Sequence, residues 1–302
     1  MTPQPVTPPE AFSPNKVTFN TDGAIYMAAR RDPAGCRVGL FGVPYDGTTS
    51  FRPGARFGPA AIRDVSEGLE TYDPQLDLDL EDLAFADFGA LQIPFGAAEP
   101  VVAAANRATA HLLGRGLRPL MLGGEHSITS GAVAAVVARH PDLVLVQLDA
   151  HADLRESWLG GHHSHACAMR RCLEVLPSGD LLQVAIRSGT RDELDESRAR
   201  GRLVSIEGME KSLLPFRGRP IYLTVDLDWF DPGVLPGTGT PEPGGFHWHD
   251  FAALVAELRH HDLVGADVVE LAPQLDPTGV SAVFAAKVCR SLLLVLGMNQ
   301  RQ

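Results

Sequence analysis

The sequence predicts an α/β fold, a mainly parallel central sheet covered by helices on both faces, and three observations carry that prediction. Six short β-rich runs are apolar almost throughout, as strands buried on both faces must be. Helical segments separate them, which is the alternation that parallel pairing requires. The chain has 302 residues, 45% hydrophobic and 21% charged, enough for a sizeable core.

The elements follow in order. Residues 1–35 begin M-T-P-Q-P-V-T-P-P-E-A-F-S-P-N-K, Pro-rich and without period, and read as an extended N-terminal arm. A single domain, residues 36–302, comes after it. Its first strand is R-V-G-L-F-G-V (37–43), and Pro59 in G-P-A-A-I-R-D-V opens a helix, since proline fits the first turn. A helix over Pro100–Leu113 leads to the strand R-P-L-M-L (118–122), and one over Ser127–His140 leads to L-V-L-V-Q-L (143–148). Strands L-Q-V-A-I (182–186) and I-Y-L-T-V (221–225) come next. A helix over Asp250–His260, the strand L-V-G-A-D-V-V (263–269) and a helix over Thr278–Met298 complete the set. No internal repeat and no second linker interrupts the pattern.

Charge and composition exclude several classes of function. A formal net charge of −11 argues against nucleic acid or an anionic membrane as partner and suits a cationic small molecule. Cys36, Cys167, Cys172 and Cys289 form no C-x-x-C pair, and no secretory apolar segment opens the chain, so reduced thiols in a cytoplasm are expected. No apolar run is expected to reach the roughly 18 residues of a membrane span.

In a parallel sheet, ligands bind outside the carboxyl ends of the strands. After R-P-L-M-L comes G-G-E-H-S with His126; after L-V-L-V-Q-L comes D-A-H-A-D with Asp149, His151 and Asp153. After I-Y-L-T-V comes D-L-D with Asp226 and Asp228, and after L-V-G-A-D-V-V comes Glu270. Four strand ends thus bring seven acidic or imidazole groups to one edge of the sheet. Alternate residues of an extended segment point the same way, so Asp149, His151 and Asp153 can face one centre. Four aspartates in one pocket repel and take up protons unless cations neutralise them. Four Asp, two His and no Cys make an oxygen-rich set that favours Mn²⁺ over a structural Zn²⁺. Six ligands exceed the needs of one catalytic ion and suit two ions sharing carboxylates and a water, roughly 3.5 Å apart.

With these motifs in hand, the sequence resembles the ureohydrolases, the family of arginases and agmatinases. The resemblance runs through G-V-P-Y-D-G-T-T-S-F-R-P-G-A-R-F-G-P (Gly42–Pro59), G-G-E-H-S, D-A-H-A-D, T-V-D-L-D, P-G-T-G-T-P-E-P-G-G and D-V-V-E. It implies a three-layer α/β/α sandwich and a trimer or hexamer. It implies two Mn²⁺ per subunit, one held by His126, Asp149, Asp153 and Asp226, the other by Asp149, His151, Asp226 and Asp228. Asp149 and Asp226 would bridge them. Glu125 and Thr224 stand where many members carry Asp and Ser.

The chemistry follows from the implied substrate. A guanidinium stays protonated at ordinary pH and its carbon is a poor electrophile. Water shared by two divalent ions loses a proton near neutrality and is already placed for attack. The resemblance assigns Glu270 to the guanidinium. Expelling an amine needs a proton, for which Asp228 and His165, in H-H-S-H-A, are the candidate relays. The family commonly carries His-Gly where this chain has His165-Ala166.

Other features read as structural. G-T-G-T-P at Gly237 lacks a dinucleotide fingerprint and is expected to be a loop approaching the site by its backbone. His162 and His163 belong to a polar loop, R-P-G-A-R-F-G-P to a turn and helix start, and Cys167 to no catalytic role. The sequence therefore predicts a binuclear manganese amidinohydrolase, releasing urea and an amine from a guanidino compound, with agmatine the preferred substrate. The loop L-R-E-S-W-L-G-G-H-H-S-H lacks the arginase contacts to an amino-acid end. The aromatic face of Trp158 or the carboxylate of Glu156 could take agmatine's ammonium, whereas Arg155 would suit a guanidino acid such as guanidinobutyrate. Outside the class stand a related deacetylase-like amide hydrolase, for which a His-His pair would follow Glu125 instead of His-Ser, and a silent binding protein.

Overall fold

The computed structural model describes residues 16–298; residues 1–15 of the expected arm lie outside the described residues. The strands are β1 (Phe19–Asn20), β2 (Val38–Val43), β3 (Tyr72–Asp73), β4 (Leu78–Asp79), β5 (Phe85–Leu91), β6 (Arg118–Gly123), β7 (Val144–Leu148), β8 (Leu181–Val184), β9 (Leu203–Val204), β10 (Pro220–Asp226) and β11 (Asp262–Val269). The helices are α1 (Gly58–Ser66), α2 (Ala98–Gly114), α3 (Thr129–Arg139), α4 (Ala168–Val175), α5 (Arg191–Ala199), α6 (Met209–Leu213), α7 (Trp248–Leu258) and α8 (Val280–Gly297). Nine strands form one sheet in the order β1-β5-β2-β6-β11-β10-β7-β8-β9, parallel except for β1 against β5. Strands β3 and β4 pair separately.

Alternate residues of each central strand enter different cores, as the period of two demands. Leu40, Leu120, Leu122, Val144, Val146, Ile221 and Leu223 pack with the apolar sides of α1, α7 and α8. Their neighbours Phe41, Met121, Leu145 and Tyr222 pack with α2, α3 and α4. Two cores on two faces of one sheet make the three-layer sandwich. Trp229 is fully buried and donates its indole N–H to the Val184 carbonyl at 3.1 Å. Burial of about 200 Å² of indole contributes about 5 kcal/mol before entropy is counted.

Three sequence expectations change. Residues 16–35 do not run free of the domain: Phe19–Asn20 adds an edge strand, and the buried Tyr26 donates its hydroxyl to the Ala286 carbonyl at 2.6 Å. Strand β5 escaped prediction because Asp87 and Gly89 interrupt it, yet both belong there. Asp87 accepts from Arg63 through both oxygens, at 2.8 and 2.9 Å, and from the amides of Tyr26 and Gly89. Finally, α8 is 18 residues long with mean hydropathy 1.8, long and apolar enough to cross a membrane, contrary to expectation. Its surroundings explain that composition, since 78% of it is buried inside the fold as a core helix.

Candidate metal centre

Strands β6, β11, β10 and β7 are consecutive neighbours in the sheet. The register sets Asp226 beside Val269 and Val225 beside Leu148, so Asp226, Glu270 and Asp149 leave the sheet at one level. Adjacent strands lie about 4.8 Å apart, which brings these groups within reach of one another.

Two adjacent glycines let the loop after β6 pass beneath the Gly42–Pro59 segment. A Cβ on Gly124 would meet the Tyr45 carbonyl oxygen at 1.7 Å. Glu125 then caps the turn holding His126, accepting from the Ser127 amide at 2.7 Å and the Thr48 hydroxyl at 2.6 Å. Thr48 in turn accepts from the amide of His165 at 3.0 Å. The Glu125 side chain is therefore a buried strut between the His126 turn and the His165 loop.

His126 Nδ1 lies 3.1 Å from Asp149 Oδ2, 3.0 Å from Asp153 Oδ2 and 3.4 Å from Asp226 Oδ2. His151 Nδ1 lies 3.0 Å from Asp228 Oδ2 and 3.6 Å from Asp149 Oδ1. Two groups of potential ligand atoms result: His126, Asp149 and Asp226 form one, and Asp149, His151 and Asp228 the other. Asp149 belongs to both through different oxygens, while Asp226 belongs to the first.

Whether these residues fit a metal is decided at His126. Its Nε2 sits 2.8 Å from Thr224 Oγ1, and Thr224 donates its hydroxyl to Asp267 Oδ1 at 2.6 Å. Thr224 can then only accept from the ring, so Nε2 carries the hydrogen and Nδ1 presents a lone pair. Buried Nδ1 has no hydrogen-bond partner and faces three carboxylate oxygens. Lone pairs converge there, and a cation is what satisfies them.

In a metal-free state, protons take that place. Burial works against a charged His126, but Asp149, Asp153 and Asp226 hold its pKa well above the usual range. Burial opposes a charged His151 as well, yet Asp228 and Asp149 push it up to about 12. Burial and the Asp149 charge lift Asp153 to about 7, and burial with Asp228 lifts Asp226 well above an ordinary carboxylate.

Strain marks the same place. Asp153 and Glu270 both hold positive φ, 52° and 67°. Neither is glycine, and such a conformation costs on the order of 1 kcal/mol or more each. For Glu270 the fold supplies the compensation: its amide donates to Gly124 O at 2.8 Å and its Oε1 accepts from the His126 amide at 3.0 Å. Burial and the charge of Glu125 raise its pKa well above normal.

A model of the family described as "Arginase family" matches residues 36–295. The chain belongs to the arginase family. It is 36% identical over 278 residues to the agmatinase of Bacillus subtilis (strain 168), covering 90% of this chain and 96% of that one. Among solved structures, proclavaminate amidino hydrolase from Streptomyces clavuligerus superposes with TM-score 0.83 at 33% identity, covering 90% of this chain and 96% of that one. The agmatine ureohydrolase of Thermoplasma volcanium gives TM-score 0.79 at 31% identity, covering 89% and 92%. Arginase-family membership makes this chain a metal-dependent ureohydrolase acting on a small guanidino compound.

The remaining expected residues fall around a cavity of about 290 Å³ lined by Ser50, His151, Asp153, Arg155, Trp158, His165, Glu193, Asp226 and Thr240, among others. His165 Nε2 is 3.0 Å from Ser50 Oγ, and its Nδ1 is 3.8 Å from Glu270 Oε1. Burial, with the charge at His126, pushes its pKa down to about 4, so it is neutral at pH 7. The G-T-G-T-P segment does approach the site: Arg52 donates to the Thr238 carbonyl at 2.6 Å, and Thr240 donates to Asp228 Oδ2 at 3.2 Å.

The two expected tail residues have different surroundings. The Trp158 ring already carries the Arg155 guanidinium at 3.9 Å from its centroid. Glu156 is 72% exposed and pairs with Arg171 at 3.1 Å, away from the cavity lining. The carboxylate on that wall is Glu193, which sequence reading missed. Its signal was present, because T-R-D-E at Thr190–Glu193 is a capping box that opens α5. Gln147 was also missed; it donates to Asp149 Oδ2 at 2.8 Å.

Proposed function

We propose that the chain hydrolyses agmatine to putrescine and urea at two Mn²⁺ ions held by His126, Asp149, His151, Asp153, Asp226 and Asp228. The observation that carries this reading is the partnerless lone pair of His126 Nδ1, set among three aspartate oxygens with Asp149 shared between two ligand groups. Bound there, two divalent cations would supply a water acidic enough to lose its proton near neutrality.

The chain's own residues do the rest. Glu270 receives the guanidinium, turning it toward the cluster with a charge-assisted hydrogen bond. Asp228 Oδ2, held by Thr240, accepts a proton from the attacking water. That proton goes on to the leaving amine, and His165, neutral and 3.8 Å from Glu270, stands where it can take it up and relay it. The 36% identity to the Bacillus subtilis agmatinase, in an alignment covering 90% of the chain, supports agmatine as the substrate. Trimeric or hexameric assembly in a reducing cytoplasm belongs to the same reading, with the four free cysteines in support.

Urea release from manganese-loaded protein, measured with agmatine, arginine and guanidinobutyrate, tests the proposal. A higher kcat/KM for agmatine is expected. A preference for either acid would refute that substrate and leave the amidinohydrolase class standing, while no urea from any guanidino compound would remove the class.

A further inference from the structure

Beyond the metal ligands, the cavity wall has a polarity of its own. Among the residues lining it, Arg155 is the one Lys or Arg. Its guanidinium lies against Trp158, and its Nε is 3.9 Å from Glu193 Oε2, too far for a hydrogen bond. Both oxygens of Glu193 already have donors: the Leu154 amide at 2.9 Å on Oε1, and the Thr190 amide and hydroxyl at 2.8 Å on Oε2. Glu193 thus positions the loop after Asp153 while only balancing the charge of Arg155. Beside the guanidinium, the Trp158 indole N–H is buried without a partner.

We propose that Arg155 and the Trp158 N–H form a subsite for the substrate's tail that accepts hydrogen-bond acceptors and narrows, without reversing, the preference for a terminal ammonium. This rests on the reading that the cavity takes guanidino compounds. The metal cluster and Glu270 attract the cationic head, and the outer wall offers donors and one positive charge to whatever follows it. Arg155 therefore sets tail-charge selectivity. Agmatine's ammonium must lie clear of the guanidinium, whereas a carboxylate at the same distance along the chain would meet it. Removing the charge at position 155 shifts the balance toward agmatine, because Glu193 then dominates that wall.

Arg155→Met and Trp158→Phe, with Arg155→Lys as the charge-retaining control, provide the test. Two readouts are needed: kcat/KM for agmatine and for 4-guanidinobutyrate, and calorimetric binding of 1,4-diaminobutane and 4-aminobutyrate, which requires no turnover. In Arg155→Met the agmatine-to-guanidinobutyrate ratio should rise about tenfold, with the change mainly in KM for the acid. Trp158→Phe should move the ratio the same way by about threefold, and Arg155→Lys by less than twofold. The diamine-to-amino-acid binding ratio should follow. If both ratios in Arg155→Met stay within twofold of wild type, the subsite is wrong. A shifted binding ratio without urea release from either compound would uphold the subsite and overturn the hydrolase reading instead.

Discussion

Asp87 and Asp149 are both fully enclosed carboxylates at the heart of the sheet, and they have opposite surroundings. Asp87 meets a guanidinium on two oxygens and two backbone amides, so its charge is balanced inside the chain. Asp149 meets Gln147, the His151 amide and a ring of other carboxylates and imidazoles, with no arginine or lysine among its contacts. The first is a finished piece of structure. The second is complete only when something positive arrives, and that is the physical mark of a binding site.

Breaking each carboxylate should separate the two roles. Asp149→Asn removes a charge common to both ligand groups, so bound manganese and nearly all urea release should disappear while the fold survives; metal analysis with circular dichroism checks it. About two ions still bound, with normal turnover, would remove the shared-carboxylate centre. Asp87→Asn should do the reverse, costing about 3–5 kcal/mol of stability by leaving Arg63 buried without its partner. Denaturant unfolding measures that loss, and activity per folded molecule should hold.

Glu270→Gln keeps the acceptor for the His126 amide but removes the charge proposed to meet the guanidinium. Both metals should stay, and kcat/KM should fall about tenfold to a hundredfold. Metal loss in this variant would mean that Glu270 is a ligand. Thr224→Val acts one step further out, releasing His126 from the tautomer that Thr224 and Asp267 impose. Manganese affinity should drop about tenfold to a hundredfold in a chelator competition.

The smallest effect is a pH dependence. Asp153 is raised from 3.8 to about 7 in the metal-free fold, so folding takes up a proton there. The stability this contributes is present below pH 3.8 and is lost as pH rises through about 7. Metal displaces that proton and restores the lost stability at higher pH. The rise in Tm on adding Mn²⁺ should therefore be larger at pH 8 than at pH 6, and a smaller rise at pH 8 would contradict the sign.

Much of the centre was legible because its residues follow strands whose apolar runs announce themselves, and because alternate positions in D-A-H-A-D share a direction. Sequence does not reveal sheet order, so nothing in it said that β6, β11, β10 and β7 would be consecutive. Strand β5 was hidden by Asp87, whose partner Arg63 lies 24 residues earlier. The tail wall was the least legible part. Trp158 is in the cavity as expected, but whether its ring was free depended on where Arg155 folded, and Glu193 sits on a helix too polar to stand out.

The sheet order also constrains how the chain comes off the ribosome. Strands β6, β7 and β10 are synthesised before β11, which must slot between β6 and β10. Until Asp262–Val269 emerges, those two strands present unpaired edges to solvent, a state prone to pairing with other chains. Glu270 and the site's final geometry arrive with that insertion, so a nascent chain stalled before β11 is exposed to aggregation, with His126 on β6's loop not yet fixed against the aspartates that follow β7 and β10. Chaperone protection during synthesis would matter most over that interval.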